Sequence, residues 1–142
     1  MREQIIPLAE DALSEYNRVY NRWKGGEMKI RHFTDVALED VGREGFEGVK
    51  VRYVITDKEG APHFAMRVFE FEPGGHTSLH EHPEEHEIFI LEGEVAAVND
   101  HGEESTLKPG HTLFIPPNER HQLKNPSGRA AKLICLIPLL NS

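Results

Sequence analysis

Residues 80–94 read HEHPEEHEIFILEGE, and residues 116–125 read PPNERHQLKN. The first stretch contains three histidines within seven residues, and the second adds a fourth after a proline-rich turn. A neutral imidazole offers a nitrogen lone pair near neutral pH, which makes histidine the commonest metal ligand in proteins. The spacing therefore predicts a divalent metal site with four ligands, His80, His82, His86 and His121.

Local geometry supports this grouping. Residues two apart in a strand share a face, so we expect His80 and His82 to lie side by side on one strand, which ends at Pro83. His86 opens the apolar run HEIFIL and is expected to return near the first two rings across a tight turn. His121 directly follows the second turn, where its ring can point inward.

From about Met28 onward, β-branched and aromatic runs alternate with turn signals, a pattern typical of an all-β sandwich or barrel. Pro73-Gly74-Gly75 is among the expected turns. The pattern predicts seven strands, Val49–Ile55, Phe64–Phe71, His86–Leu91, Glu94–Val98, Thr112–Ile115, His121–Lys124 and Lys132–Ile137.

The first part of the chain has a different character. Apolar residues recur at three- and four-residue steps from Pro7 to Lys24, which predicts a helix. We therefore expect a helical extension over 1–27 and a barrel domain over 28–142. The helix carries an aromatic stripe that must pack on the barrel or on a second subunit. Together with the apolar run His86–Leu91, this stripe predicts a homodimer; it contains Tyr16, Tyr20 and Trp23.

Composition limits the partners. The chain has 142 residues with Lys+Arg 16 against Asp+Glu 24, a net charge of −8 without a basic cluster, which argues against nucleic acid as a partner. Cys135 is the sole cysteine, so no internal disulfide forms and a reducing compartment is expected. The N-terminal sequence has neither a secretory signal nor a spanning helix. These features predict a cytoplasmic protein that does not bind membranes.

The histidine segments resemble the two motifs of the cupin superfamily, whose fold is a double-sheet jelly-roll β-barrel. The resemblance covers roughly residues 63–138. In the first motif, His86 occupies the place where the family has Glu; the matching residues are Gly74, His80, His82 and Gly93. In the second motif, Asn118 replaces a Gly, a mild change because Asn tolerates a left-handed backbone; the matching residues are Gly110, Pro116, His121 and Asn125.

The Glu-to-His change affects the metal. Glu87 fits a looser version of the first motif, but it points to the opposite strand face from His86, so we favour His86 as the ligand. Small bacterial cupins with the string His-x-His-x-x-x-His-Glu are similar, and the resemblance implies a four-histidine site that typically holds manganese. Ligand type alone leaves Fe, Ni, Cu and Zn open.

Four further residues are candidates for the cavity wall. Ile88 and Ile90 share the strand parity of His86 and are expected to line the cavity. Arg67 holds a substrate carboxylate if it points inward, although a surface ion pair with one of the many acids is the more ordinary expectation. Cys135 lies in an apolar run and is either a small buried hydrophobe or a cavity-facing thiol.

The leading hypothesis for function is a metal-dependent oxidoreductase of dioxygenase type, acting on a small substrate that chelates through oxygen. It rests on the two open positions that four ligands leave on an octahedral ion, on an apolar pocket and on the resemblance. The alternatives are a redox-neutral isomerase or decarboxylase, and a protein that binds a small ligand or metal without turnover. The sequence assigns no catalytic residue.

Overall fold

A computed structural model describes residues 28–140 of the chain. Within this range, nine β-strands and two short 3-10 helices form, the helices at Phe33–Asp35 and Asp57–Glu59. In chain order the strands are β1 (Glu39–Asp40), β2 (Glu47–Ile55), β3 (Phe64–His76), β4 (His86–Glu92), β5 (Val95–Val98), β6 (Glu104–Leu107), β7 (Thr112–Ile115), β8 (Gln122–Lys124) and β9 (Ala131–Pro138). No helix in the described residues is long and apolar enough to span a membrane.

The strands form an all-β, nearly closed jelly-roll barrel, as the resemblance implied. The pairing order is β6-β5-β8-β3-β9-β4-β7, and β2 pairs with both β1 and β3. Strand β3 links strands β6, β5 and β8 to strands β9, β4 and β7, because it changes partner along its length. Residues 64–71 pair with β9, whereas His76 pairs with Lys124 of β8.

Alternation along the strands separates an inner and an outer face. On β4, Ile88 and Ile90 are buried, whereas Phe89 and Leu91 are exposed on the outside. The core is aliphatic and aromatic. It includes Val49, Phe71, Ile90, Val95, Ile115 and Leu133.

All seven predicted strands form, with boundaries shifted by a few residues. One expected turn is wrong, and one strand was missed. The predicted turn at Pro73–Gly75 lies inside β3, because a register shift opposite Glu47 to Val49 absorbs the irregular backbone. Strand β6 was not expected, because its sequence ESTL is polar and three of its four residues are exposed. The predicted N-terminal helix and the 1–27 extension lie outside the described residues.

Two turns around the histidine segments need a left-handed backbone. Asn118 has φ 64°, the conformation in which Asn replaces the Gly of the second motif at little cost. Gly93 has φ 73°, and a Cβ atom there would come within 2.5 Å of the carbonyl oxygen of Ala130. Gly93 therefore allows the chain leaving β4 to pass directly beside β9.

Candidate metal centre

The four histidines converge from three segments of the barrel. His80 and His121 form an isolated antiparallel bridge, with backbone N···O distances of 3.0 and 2.9 Å. His82 follows in the loop, and His86 is the first residue of β4. The expectation of a strand through His80 and His82 is wrong, because only the His80 bridge is strand-like and Pro83 interrupts the ladder. The bridge to His121 nevertheless brings the rings together.

Three of the four imidazoles are close enough to share one ion. Each of His80, His82 and His121 has a ring nitrogen within 4.8 Å of those of the other two. The fourth ring adjoins this group: His86 Nε2 lies 2.9 Å from His82 Nε2, and its ring centroid is 5.1 Å from that of His121. Two facing Nε2 atoms at this distance either share a proton or ligate a common cation.

Backbone carbonyl groups orient two of these rings. His80 Nδ1 donates to the carbonyl oxygen of Ser78 at 2.8 Å, and His121 Nδ1 donates to that of Glu119 at 2.8 Å. A carbonyl oxygen only accepts, so Nδ1 carries the hydrogen in both rings and Nε2 keeps its lone pair. This outer hydrogen bond is the arrangement typical of metal-binding histidines.

The His86 ring has an unusual partner, the buried thiol of Cys135. The distance from His86 Nδ1 to Sγ is 3.1 Å, and Arg67 Nη2 donates to the same sulfur at 3.1 Å. The thiol hydrogen has its own acceptor in the carbonyl oxygen of Leu136, at 3.8 Å. Sγ is thereby free to accept from both Arg67 and His86, which leaves His86 Nε2 available as a ligand.

Burial keeps these groups in the protonation states that a metal needs. Desolvation lowers the pKa of His80 and of His121, and it lowers the pKa of His86 to about 3 with help from the nearby charge of Arg67. Desolvation also raises the pKa of Cys135, so the thiol is neutral at pH 7. His80, His86 and His121 therefore present uncharged nitrogen donors at neutral pH.

These observations fit a divalent ion. The donor set is neutral imidazole nitrogen, which suits Mn, Fe, Co, Ni, Cu and Zn. His82 adds a buried Nδ1 atom with no hydrogen-bond partner, and the nearest acid is Glu84, whose Oε1 lies 4.0 Å away. An ion bound at Nε2 would polarise the ring and strengthen the attraction between Nδ1–H and that carboxylate.

A cavity of about 160 Å³ adjoins the histidines. Its walls are mainly apolar and aromatic, and Ile88, Arg67 and Cys135 border it. Arg67 points inward, and within residues 28–140 it forms no ion pair, so the ordinary expectation of a surface pair is wrong. Ile90 does not border the cavity, because it sits one step further along β4 in the solid core.

Two acidic residues of the histidine segment have different positions. Glu84 borders the cavity, which the sequence did not predict because this segment is rich in acids and nothing distinguishes one from another. Glu87 lies opposite Phe114 on the outer face, away from His86. Desolvation and the neighbouring Glu85 raise the pKa of Glu87 to about 7.

Comparison with known proteins shows the family of the chain. Residues 67–137, half of the chain, match the family described as the cupin domain. The chain is a cupin. It is 35% identical to the polyketide cyclase RemF of Streptomyces resistomycificus, a solved structure, with 79% of this chain and 80% of that chain covered and a TM-score of 0.76.

Two curated relatives are more distant from this cupin. A 1-methylthio-D-xylulose 5-phosphate methylsulfurylase of Rhodospirillum rubrum is 28% identical over 82% of this chain and 68% of its own length. The tetracenomycin polyketide synthase protein TcmJ of Streptomyces glaucescens is 25% identical over 77% of this chain and 74% of its own length. The relatives of this cupin thus carry different activities on one fold, which leaves its own reaction to the chemistry of the site.

Proposed function

We propose that this cupin is a metal-dependent enzyme that catalyses a redox-neutral proton transfer on a small, enolisable substrate that chelates through oxygen. The observation that carries the proposal is the combination of clustered imidazoles, an apolar cavity and one carboxylate, that of Glu84, at the cavity wall. His80, His82, His86 and His121 would hold the ion, with manganese as the first candidate.

The chemistry follows from the residues around the cavity. A bound divalent ion would act as a Lewis acid toward a carbonyl oxygen of the substrate. Glu84 would accept the proton from the adjacent carbon, and its position beside His82 keeps the base close to the ligand set. The aromatic and aliphatic walls exclude water, which strengthens both interactions; they include Phe46, Phe69, Phe71 and Leu133.

The named activities of the relatives support this class of substrate. One similar structure is described as a polyketide cyclase, and one curated relative is a polyketide synthase protein. Polyketide chains carry 1,3-dicarbonyl groups, which enolise readily and offer two oxygens to one ion. A cavity of about 160 Å³ accommodates one such unit, with the rest of a longer substrate extending through the opening to solvent.

The second candidate is the dioxygenase expected from the sequence. The apolar cavity favours it, because dioxygen partitions into apolar space and because four protein ligands leave two positions open on an octahedral ion. The same cavity and the same histidines serve both reactions. They differ in whether the metal must change oxidation state, which zinc cannot do.

The experiment uses pentane-2,4-dione as the probe and protein loaded with Mn or with Zn. Hydrogen–deuterium exchange at the carbon between the two carbonyl groups is followed by NMR, and oxygen consumption is followed in parallel. We expect faster exchange than in buffer with either metal, without oxygen uptake. Oxygen uptake with Mn and none with Zn would replace this proposal by the dioxygenase.

Glu84→Gln tests the role of the carboxylate. A positioned general base contributes roughly 10²- to 10⁴-fold to the rate, so the variant, measured at saturating metal, should lose most of the catalysed exchange. Glu85→Gln is the matched control, because Glu85 is adjacent in sequence but does not border the cavity. Equal rates in wild type and Glu84→Gln would exclude Glu84 as the base.

A further inference from the structure

Arg67 is placed differently from the cations of the barrel that form ion pairs. It lies on β3 opposite Tyr53 of β2 and Cys135 of β9, and its side chain enters the cavity that the histidines border. Arg52 on the neighbouring strand β2 is placed in the ordinary way for a cation. Its guanidinium lies on the other side of the sheet and pairs with Glu70 at 3.4 Å. Within the described residues no carboxylate pairs with Arg67.

The guanidinium of Arg67 is poorly satisfied by the protein. Among residues 28–140 it makes one hydrogen bond, from Nη2 to Sγ of Cys135 at 3.1 Å, and sulfur is a weak acceptor. Its plane lies near the Phe69 ring, with Cζ 4.8 Å from the ring centroid. Its Nε atom is buried and has no partner. A cation taken out of water without an anion is unstable relative to one that is paired, so this group is prepared for an anionic ligand.

The sulfur of Cys135 also fixes how far Arg67 lies from the metal ligands. The same Sγ contacts His86 Nδ1 at 3.1 Å, so the guanidinium and a ligand imidazole are separated by a single atom that bonds both. One molecule in the cavity can therefore reach the metal position and Arg67 together. The aromatic residues beside them favour a planar, unsaturated body between these two points.

We propose that Arg67 is the carboxylate-binding subsite of this cavity, and that the substrate is a small unsaturated or aromatic acid bearing a second, metal-directed oxygen. A carboxylate fits better than other anions because it is planar and matches the paired N–H groups of a guanidinium. The metal-directed oxygen of this substrate rests on the proposed function. The binding of its carboxylate rests on Arg67 alone.

The test compares benzoate with benzamide, which has nearly the same shape but no charge. Binding is measured by calorimetry on protein as purified, with its metal content determined, and again after chelation. Wild type should bind benzoate about tenfold or more tightly than benzamide, the ratio expected for one charge-assisted pair. Arg67→Gln should remove this preference without changing metal content. If chelated wild type still prefers benzoate to benzamide, the carboxylate binds at Arg67 and does not need the metal.

Arg43→Gln is the matched control, because Arg43 borders the same cavity but is exposed and stacks on Phe46 with Cζ 5.3 Å from the ring centroid. It should keep the preference. A preference that survives in Arg67→Gln and disappears on chelation would place the carboxylate on the metal and overturn the proposal. Loss of the preference in Arg43→Gln alone would overturn it as well.

A second measurement does not depend on the folding of any variant. The Nε–H resonance of Arg67 is assigned in ¹⁵N-labelled wild type and followed during titration with benzoate and with methyl phosphate. We expect benzoate to shift it at concentrations where methyl phosphate leaves it unchanged. A larger response to methyl phosphate would replace the carboxylate class by phosphate esters, and no response to benzoate would refute the subsite.

Discussion

The metal-free protein should lose stability between pH 7 and pH 5 because of His86. Burial, with the charge of Arg67, lowers the pKa of His86 from 6.5 to about 3. The unfolded chain therefore binds a proton at His86 below pH 6.5, whereas the folded chain does so only near pH 3. In this window the unfolded state holds more protons, so the free energy of unfolding falls as pH falls.

The size of this stability loss depends on how far the pH falls below 6.5. Each pH unit below 6.5 costs about 1.4 kcal/mol, so His86 lowers the free energy of unfolding by about 2 kcal/mol at pH 5. His80 and His121 act in the same direction, because their pKa values are also lowered. Replacing His86 by Gln removes one titrating group and keeps a polar side chain of similar size.

The assay is urea unfolding of chelated protein, followed by circular dichroism at pH 7 and pH 5. Wild type should lose about 2 kcal/mol more than His86→Gln between these two pH values. His101→Gln serves as the control, because His101 lies in an exposed turn, and it should respond like wild type. If wild type and His86→Gln lost stability equally, the desolvated placement of His86 beside Arg67 would be wrong.

Three further predictions test other parts of the molecule. Cys135→Ala removes the acceptor of His86 Nδ1 and should weaken metal binding roughly 10- to 100-fold, measured by competition with a chelating dye. An unchanged metal affinity would show that the thiol does not orient His86. We propose a homodimer through the apolar outer face of β4 and β7, where Phe89 and Phe114 are 43% and 57% exposed. Phe114→Glu should then shift sedimentation from dimer to monomer, and a wild type that is monomeric at micromolar concentration contradicts the dimer. Gly93→Ala should lower the free energy of unfolding by at least about 1–2 kcal/mol because of its left-handed backbone, and an unchanged urea midpoint would count against that geometry.

The histidine spacing correctly predicted that these imidazoles lie close together, because two short motifs fix both the residue type and the turns that bring the rings together. The sequence placed His80 and His82 on a strand, since alternation was the only local signal available. The structure instead holds them through the bridge from His80 to His121, a contact between residues 41 positions apart. Pairing over such a distance has no local signature.

Side-chain direction was the harder part to predict. Arg67 has two equally allowed faces on β3, and only its pairing with Cys135 shows that it points inward. Glu84 is one of several acids in a short segment, and the sequence does not show which of these acids borders the cavity. Ile90 has the parity of Ile88, but the depth of the cavity is a property of the whole barrel and not of strand β4.

The most direct test of the metal centre is a titration of chelated protein with Mn²⁺, in wild type and in single Ala variants of His80, His82, His86 and His121. Bound metal is counted after removal of free metal, and Glu87→Ala is the control. We predict one ion per chain in wild type and in Glu87→Ala, and a strong loss in all four histidine variants. Full metal in His86→Ala together with loss in Glu87→Ala would contradict the four-histidine centre.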